Sequence, residues 1–381
     1  MAKSRLMNQP ADYQRFGINP DKLEAWEDGR RDTDETGHGE VWYFDCSFED
    51  GTTLVLGFRP KSHERDNLAG DNPNVALNYT DASGKTSVDF RDYDVKDVEM
   101  STKACDLKYG PSTLKSKEAW KTYDIHVEPE QDRPVVLEGK TSTRHDSAVD
   151  LHFEAVTKPF RPGTGYIAFG DEDQTYATFI CITKLKVTGT VTFNGESKQV
   201  SGSAYYNHQW QNANALTLFH HWLWGRQNIG KYGVMLYDMV TAERYGFTQI
   251  PLFTIDDDQG RRILENSTAD GVQVKVEDSY VQEATGKRYP KQIVYSFKQD
   301  SLQVEYEISN PREITVIDFY KQQTAKGKAM FDQLHIRPAY TRYLADSRLT
   351  ISRDGVSETT TGPFLYEFNN TGLDDPRAHL F

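Results

Sequence analysis

The chain concentrates chemically able side chains between Tyr206 and Asp238. If SAYYNHQW is extended, side chains alternate sides, and Tyr206, His208 and Trp210 share one face. That face offers an imidazole for proton transfer beside ring faces able to stabilise positive charge. In LTLFHHWLWGR, read as one regular strand, Leu218, His220, Trp222, Trp224 and Arg226 oppose Phe219, His221 and Leu223. The following run, YGVMLYDMV, places Asp238 among apolar and aromatic residues, with Tyr237 adjacent but on the other face. A buried aspartate costs energy unless it is paired or neutral, and a carboxyl kept neutral by burial is a usable acid near pH 7. The catalytic candidates are therefore His208, Asp238, Tyr237 and Trp210. The candidate substrate contacts are Trp222, Trp224, Arg226, His220, His221 and Tyr206.

Structural readings stand beside each. His208 could be a core histidine bonded to a backbone carbonyl. Trp222 and Trp224 could be ordinary packing, and Asp238 could be an ion-pair partner of Arg226 or Arg244. His220 and His221 face opposite sides of a regular strand, so a mononuclear metal site would need His208, one of them and a distant ligand. No metal and no cofactor are expected. The chain lacks GxSxG, Walker and HExxH motifs, and GTGYIAFG at 163–170 has the wrong spacing for a dinucleotide loop. DDDQG at 256–260 reads as a hairpin turn rather than a calcium loop. What favours a site is the conjunction of base, acid, rings and arginine within a short stretch.

The elements that must position these residues are strands. Runs such as VWYFDCSF, TTLVLGF, TYATFICITKLKV and SLQVEYEIS are rich in Val, Ile, Thr, Tyr and Phe. Turn signals separate such runs: EDG at 49–51, ASGK at 82–85, FNGE at 193–196, DDDQG, ATGK at 284–287 and RDG at 353–355. This spacing predicts an all-β protein of barrels or sandwiches. At 381 residues, two domains are the default. The expected division is a polar lead over 1–35, with a short helix at Asp21–Asp28, then barrels over 36–212 and 213–381. The polar patch QNANA at 211–215 would mark the seam, where pockets are common.

Composition narrows the partners. The net charge of -13 disfavours nucleic acid and anionic lipid. The start MAKSRLMNQPADYQRF has no apolar core, and no long apolar run follows, so neither a signal peptide nor stable membrane insertion is expected. Three dispersed cysteines, Cys46, Cys105 and Cys181, fit a reducing, cytoplasmic setting, in which the Asn-x-Thr matches at Asn78 and Asn266 are accidental. Oligomeric state is not legible.

GSAYYNHQW resembles the Gly-x-x-Tyr-x-Asp-His-x-Trp-Gly segment of the carotenoid hydratase (hydroxyneurosporene synthase) and AttH-like superfamily. WLWGR resembles that family's Trp-x-Trp-Gly-Arg segment, GEVWYFDCSFEDGTTLVLGF its first-barrel opening, and AYTRYLADSRLTISRDG with GPFLYEF its closing strands. The resemblance runs from about Gly39 to Phe368. It implies two lipocalin-like antiparallel barrels packed side by side and a role in secondary metabolism. The family includes carotenoid hydratases, kievitone hydratase and lipocalin-like Diels–Alder cyclases. The hydratase His, Trp, Tyr and Asp fall by resemblance on His208, Trp210, Tyr237 and Asp238. The pattern departs at Asn207, where the family has Asp, and at Gln211, where it has Gly. In the hydratases the Tyr and Asp are not adjacent, as they are here.

The functional expectation is a cofactor-independent hydro-lyase acting on a C=C bond of a hydrophobic terpenoid or polyphenol. Asp238 would protonate the alkene, tryptophan faces would stabilise the cation, His208 would activate water, and Arg226 would anchor a substrate anion. The rival readings are an isomerase or cyclase, by ring opening and closing or by a pericyclic reaction, and a noncatalytic carrier of a hydrophobic ligand.

Overall fold

The computed structural model describes residues 3–62, 65, 68–130, 135–137, 140–142, 146–170, 174–193 and 195–378. The chain divides into two compact units. One comprises Met7–Tyr166 and Tyr176–Asn214; the other comprises Met1–Leu6, Ile167–Thr175 and Ala215–Phe381. The longest continuous part of the second unit begins at Ala215.

Each unit is a curled antiparallel sheet of the lipocalin-like kind. In the N-terminal unit the central order runs Thr53–Arg59, Gly39–Phe48, Glu196–Gln211, Ile180–Phe193, Ala148–Ala155 and Thr122–Val127. The alternation in GEVWYFDCSF explains why Gly39–Phe48 takes its place. Glu40, Trp42, Phe44, Cys46 and Phe48 are buried, and the intervening residues are half-buried. The sheet curls far enough for Phe58 to meet Tyr109 from a strand remote in the order, ring edge to face at 5.4 Å. The core lies inside that curl and is dominated by aromatic rings.

In the C-terminal unit the order is Arg262–Asn266, Gln249–Asp256, Tyr232–Thr241, Phe219–Ile229, Val356–Asn370, Ala339–Arg353, Leu302–Asp318, Arg288–Gln299 and Val272–Val281. Phe253 and Phe297, from opposite halves of this order, stack at 4.4 Å and so close the curl. Six tyrosines belong to the core: Tyr232, Tyr289, Tyr295, Tyr306, Tyr343 and Tyr366.

The turn signals EDG, ASGK, DDDQG, ATGK and RDG join antiparallel neighbours. In FNGE, Asn194 lies outside the described residues. The Asp257 carboxylate of DDDQG accepts the backbone N–H groups of Gln259 and Arg261, which makes it a turn-forming group.

The segment read as a polar lead is more ordered than its composition implied. Pro10–Phe16 is helical: the Asp12 carboxylate accepts the Gln9 N–H at 2.9 Å at its start, and Gly17 at φ 64° ends it. The helical turn expected over Asp21–Asp28 is a 3-10 turn at Ala25–Asp28. Glu27, Asp28 and Asp32 are buried. Among the described residues, no helix is long and apolar enough to cross a membrane.

Candidate active site

His208 lies inside the N-terminal barrel. The register sets it opposite Trp42 on one side and Ile180 on the other. Its ring stacks on Trp42, centroids 4.6 Å apart and 16° from parallel, and is tilted against Trp210 at 4.8 Å. Tyr206 and Trp210 are buried on the same face, as the alternation of an extended SAYYNHQW requires.

Two carboxylates flank the imidazole. Glu40 Oε1 lies 2.7 Å from His208 Nε2. Glu40 also accepts the backbone N–H groups of Arg31 at 2.9 Å and Asp32 at 3.0 Å. With Glu40 serving as acceptor, His208 Nε2 is assigned the proton and donates. On the other side, Asp28 Oδ1 lies 3.5 Å from His208 Nδ1, and among the described residues that nitrogen has no hydrogen-bond partner. Asp28 accepts the hydroxyls of Tyr206 and, at 2.8 Å, Tyr123. The Asp28 carbonyl accepts the Trp42 indole N–H at 3.0 Å, so the segment carrying Asp28 is fastened to the stacking ring. All three ionisable side chains have 0–1% exposure.

Burial dominates the electrostatics. It pushes the Asp28 carboxyl up to about 6, against the opposing pull of His208 and the two tyrosine hydroxyls. Burial also holds the Tyr206 and Tyr123 hydroxyls well above the ordinary tyrosine range. A carboxyl held near that value can give and take a proton near neutral pH, and the His208 ring lies 3.5 Å from it.

Asp238 lies inside the C-terminal barrel. It is paired in register with Leu223 and Pro251 and is 8% exposed. Tyr295 donates to its Oδ2 at 3.0 Å, and the Gln249 amide donates to both oxygens at 2.9 and 3.0 Å. Burial raises this carboxyl to about 6, and those bonds only partly offset the rise. Arg226 and Arg244, the ion-pair partners considered from sequence, are not its hydrogen-bond partners. Tyr237 is registered with Trp224 and faces the opposite side of the strand, with its hydroxyl pushed above the ordinary tyrosine range by burial.

The reading of LTLFHHWLWGR as one regular strand is corrected. Ala215–Leu218 is helical, the strand begins at Phe219, and its register slips between Phe219 and His221. The slip breaks the two-residue period, so His220 and His221 are both buried. Beyond it Leu223 joins the core, and Trp222, Trp224 and Arg226 stand half-buried on the other face. His220 Nε2 is 2.7 Å from the Leu373 carbonyl and must donate; its Nδ1, 2.9 Å from His221 Nδ1, then accepts. Burial lowers the basicity of His220, in keeping with this neutral form.

The structure thus brings Tyr206, His208 and Trp210 together in one barrel, and Asp238, with buried His221, in the other. Sequence reading did not single out Asp28, Glu40, Trp42 or Tyr123. Glu40 had a signal, since it keeps step with Trp42, Phe44 and Cys46 in an alternating strand. Asp28 had none, lying in an acidic, unpatterned segment. Among the described residues, no three His, Cys, Asp or Glu side chains are arranged to hold a metal ion.

A family model described as AttH-like matches residues 115–321. No curated protein sequence matches the chain. Among solved structures, a candidate AttH from Nitrosomonas europaea aligns with a TM-score of 0.52 at 14% identity, covering 88% of this chain and 93% of that one. CghA with Sch210972 aligns at 0.55 and 11% identity, covering 89% of each chain. Kievitone hydratase from Nectria haematococca aligns at 0.47 and 12% identity, covering 88% of this chain and 90% of that one. At such identities the first two likenesses establish fold.

Proposed function

Since the chain belongs to the AttH-like family, we propose that it is a cofactor-independent hydro-lyase acting on a C=C bond of a hydrophobic terpenoid or polyphenol. The observation that carries this reading is the buried imidazole of His208, held between Asp28 and Glu40 and walled by Trp42 and Trp210. In hydration, neutral Asp28 gives its proton to an alkene carbon. The cation that develops lies against the indole faces. Water attacks it and passes a proton to His208 Nδ1, the ring nitrogen left open. Glu40 fixes the ring and steadies the imidazolium. Return of that proton across the 3.5 Å to Asp28 restores the site, and elimination follows the same steps backwards.

Asp28 takes the acid's role here because it adjoins His208, in the place the sequence reading gave Asp238. Asp28 and the N–H groups that hold Glu40 come from one segment, Glu24 to Asp32, so that segment assembles the site around His208.

The test is turnover of terpenoid alkenes and prenylated polyphenols in ¹⁸O-labelled water. One solvent oxygen should enter the product. Asp28→Asn and His208→Gln should each lower turnover by about 100-fold or more with the fold retained. Full activity in both variants would sink the assignment. A product without label would indicate the isomerase or cyclase, and binding without product the carrier.

A further inference from the structure

One buried arginine ties the segment that carries Asp28 to the strands beside His208. The Arg161 side chain is 4% exposed and that of Glu27 is 2% exposed. Arg161 Nη1 donates to Glu27 Oε2 at 2.7 Å, Nη2 donates to the Asn19 carbonyl at 2.6 Å, and Nε donates to the Gly163 carbonyl at 3.1 Å. A guanidinium holds several acceptors at once because its donors form a rigid fork, which the ammonium of lysine lacks.

Each end of this link leads to the site. Phe160, next to Arg161, exchanges backbone hydrogen bonds with Cys181 at 2.7 and 3.0 Å. Ile180, next to Cys181, is registered opposite His208. At the other end, Glu27 Oε1 accepts the Glu24 N–H at 2.8 Å. That bond closes the start of the 3-10 turn Ala25–Asp28, whose last residue is Asp28. Trp120 fastens the same turn by donating to the Glu24 carbonyl at 3.0 Å. Burial raises the Glu27 carboxyl, against the opposing pull of the Glu24 N–H and of Arg161. Removing the cation would leave the carboxylate that closes the turn without its ion-pair partner in a buried place.

We propose that Arg161 is a positioning residue: by clasping Glu27 to the strands beside His208, it sets the Asp28 carboxyl 3.5 Å from His208 Nδ1. Arg161 acts through the turn and takes no part in proton transfer. The inference deepens the hydro-lyase reading and rests on its choice of Asp28 and His208, but its main test needs no substrate.

The full chain is labelled with ¹⁵N-histidine, and the His208 imidazole resonances, identified by their loss in His208→Gln, are followed between about pH 4.5 and 8. The titratable groups around Asp28 are His208, Tyr206, Tyr123, Glu40 and Cys105. Asp28→Asn should alter the His208 profile, since the two groups are neighbours. Arg161→Met should move that profile toward the one seen in Asp28→Asn, by at least about half a pH unit. Arg161→Lys should restore part of the wild-type profile. Should Arg161→Met fail to fold, Arg161→Met combined with Glu27→Gln removes both buried charges and should show the same displacement. With an accepted substrate, Arg161→Met should lower kcat by about tenfold or more and leave KM nearly unchanged. A wild-type chain without turnover would count against the hydro-lyase reading alone, because the resonances still report where Asp28 sits. A His208 profile that Asp28→Asn leaves unaltered, or that stays at its wild-type position when Arg161 is replaced, would overturn the proposal.

Discussion

Asp238→Asn should make the stability of the C-terminal barrel less sensitive to pH, in a direction fixed by the site. The Asp238 carboxyl has an ordinary value of 3.8 and is raised to about 6, with burial as the leading cause. Between those values the folded chain holds a proton that the unfolded chain has released. Unfolding free energy therefore falls as pH rises through this window. At about 1.4 kcal/mol per pH unit, the interval from 3.8 to about 6 amounts to about 3 kcal/mol. That stabilisation is complete below pH 4 and lost above about 6. Asparagine stays neutral throughout and keeps an oxygen for the Tyr295 hydroxyl, while the Gln249 amide can turn to accept its NH₂. The variant should match the wild type near pH 4 and exceed it by about 3 kcal/mol near pH 7.5. Urea unfolding at both pH values, followed by circular dichroism, gives the comparison. The difference between the two proteins cancels every other titrating group. A stability gap that stays constant from pH 4 to 7.5 would refute the reasoning, because it would mean that water solvates the carboxylate.

Two further perturbations test how the N-terminal barrel is held. Arg91 is fully buried and pairs with Asp89 at 2.8 Å; Arg91→Met should cost about 3–5 kcal/mol in urea unfolding, because Asp89 loses its cation in a dry site. Converting Asp89 to Leu as well should recover much of that loss. A Cβ on Gly29 would come within 2.7 Å of the Thr102 backbone, so Gly29→Ala should destabilise by about 1–3 kcal/mol. By unseating the neighbouring Asp28, it should also lower the proposed hydro-lyase turnover more than this loss of stability explains.

Strands were legible in the sequence because burial on one face imposes a period of two. GEVWYFDCSF carries that period, whereas SAYYNHQW is buried without a break from Ala204 to His208; both supply inward residues of the site. The reading failed where the period itself fails. The slip at Phe219–His221 buries both histidines, which no alternation could foresee, and it moves the expected grouping of His220 with Trp222, Trp224 and Arg226 apart. Asp28 was illegible for another reason. Its burial follows from long-range contacts, with Tyr123 and Tyr206 reaching it from 95 and 178 residues away. A local pattern contains nothing of those contacts. Glu40 was within reach, but a charged residue at the start of a strand reads as a solvated edge unless its phase is followed inward.

The two raised carboxyls argue together for chemistry over stability. Asp28 and Asp238 sit in separate units with different partners, yet burial lifts both to about 6. At neutral pH each holds its charge at a cost of order 3 kcal/mol. Apolar residues of similar volume would fill the same interior space without that cost. His208 with two tyrosine hydroxyls at Asp28, and the Gln249 amide with the Tyr295 hydroxyl at Asp238, moderate the cost without removing it, and they also limit how far the proton affinity rises. Three bonds of a salt bridge would have driven either carboxyl down and silenced it as an acid; full desolvation without tyrosine donors would have driven it up and silenced it as a base. His208, Tyr206 and Tyr123 at Asp28, and Gln249 with Tyr295 at Asp238, hold the groups between those extremes. Stability alone gives no reason to place either carboxyl there, and a carboxyl held near this value is suited to proton transfer near pH 7.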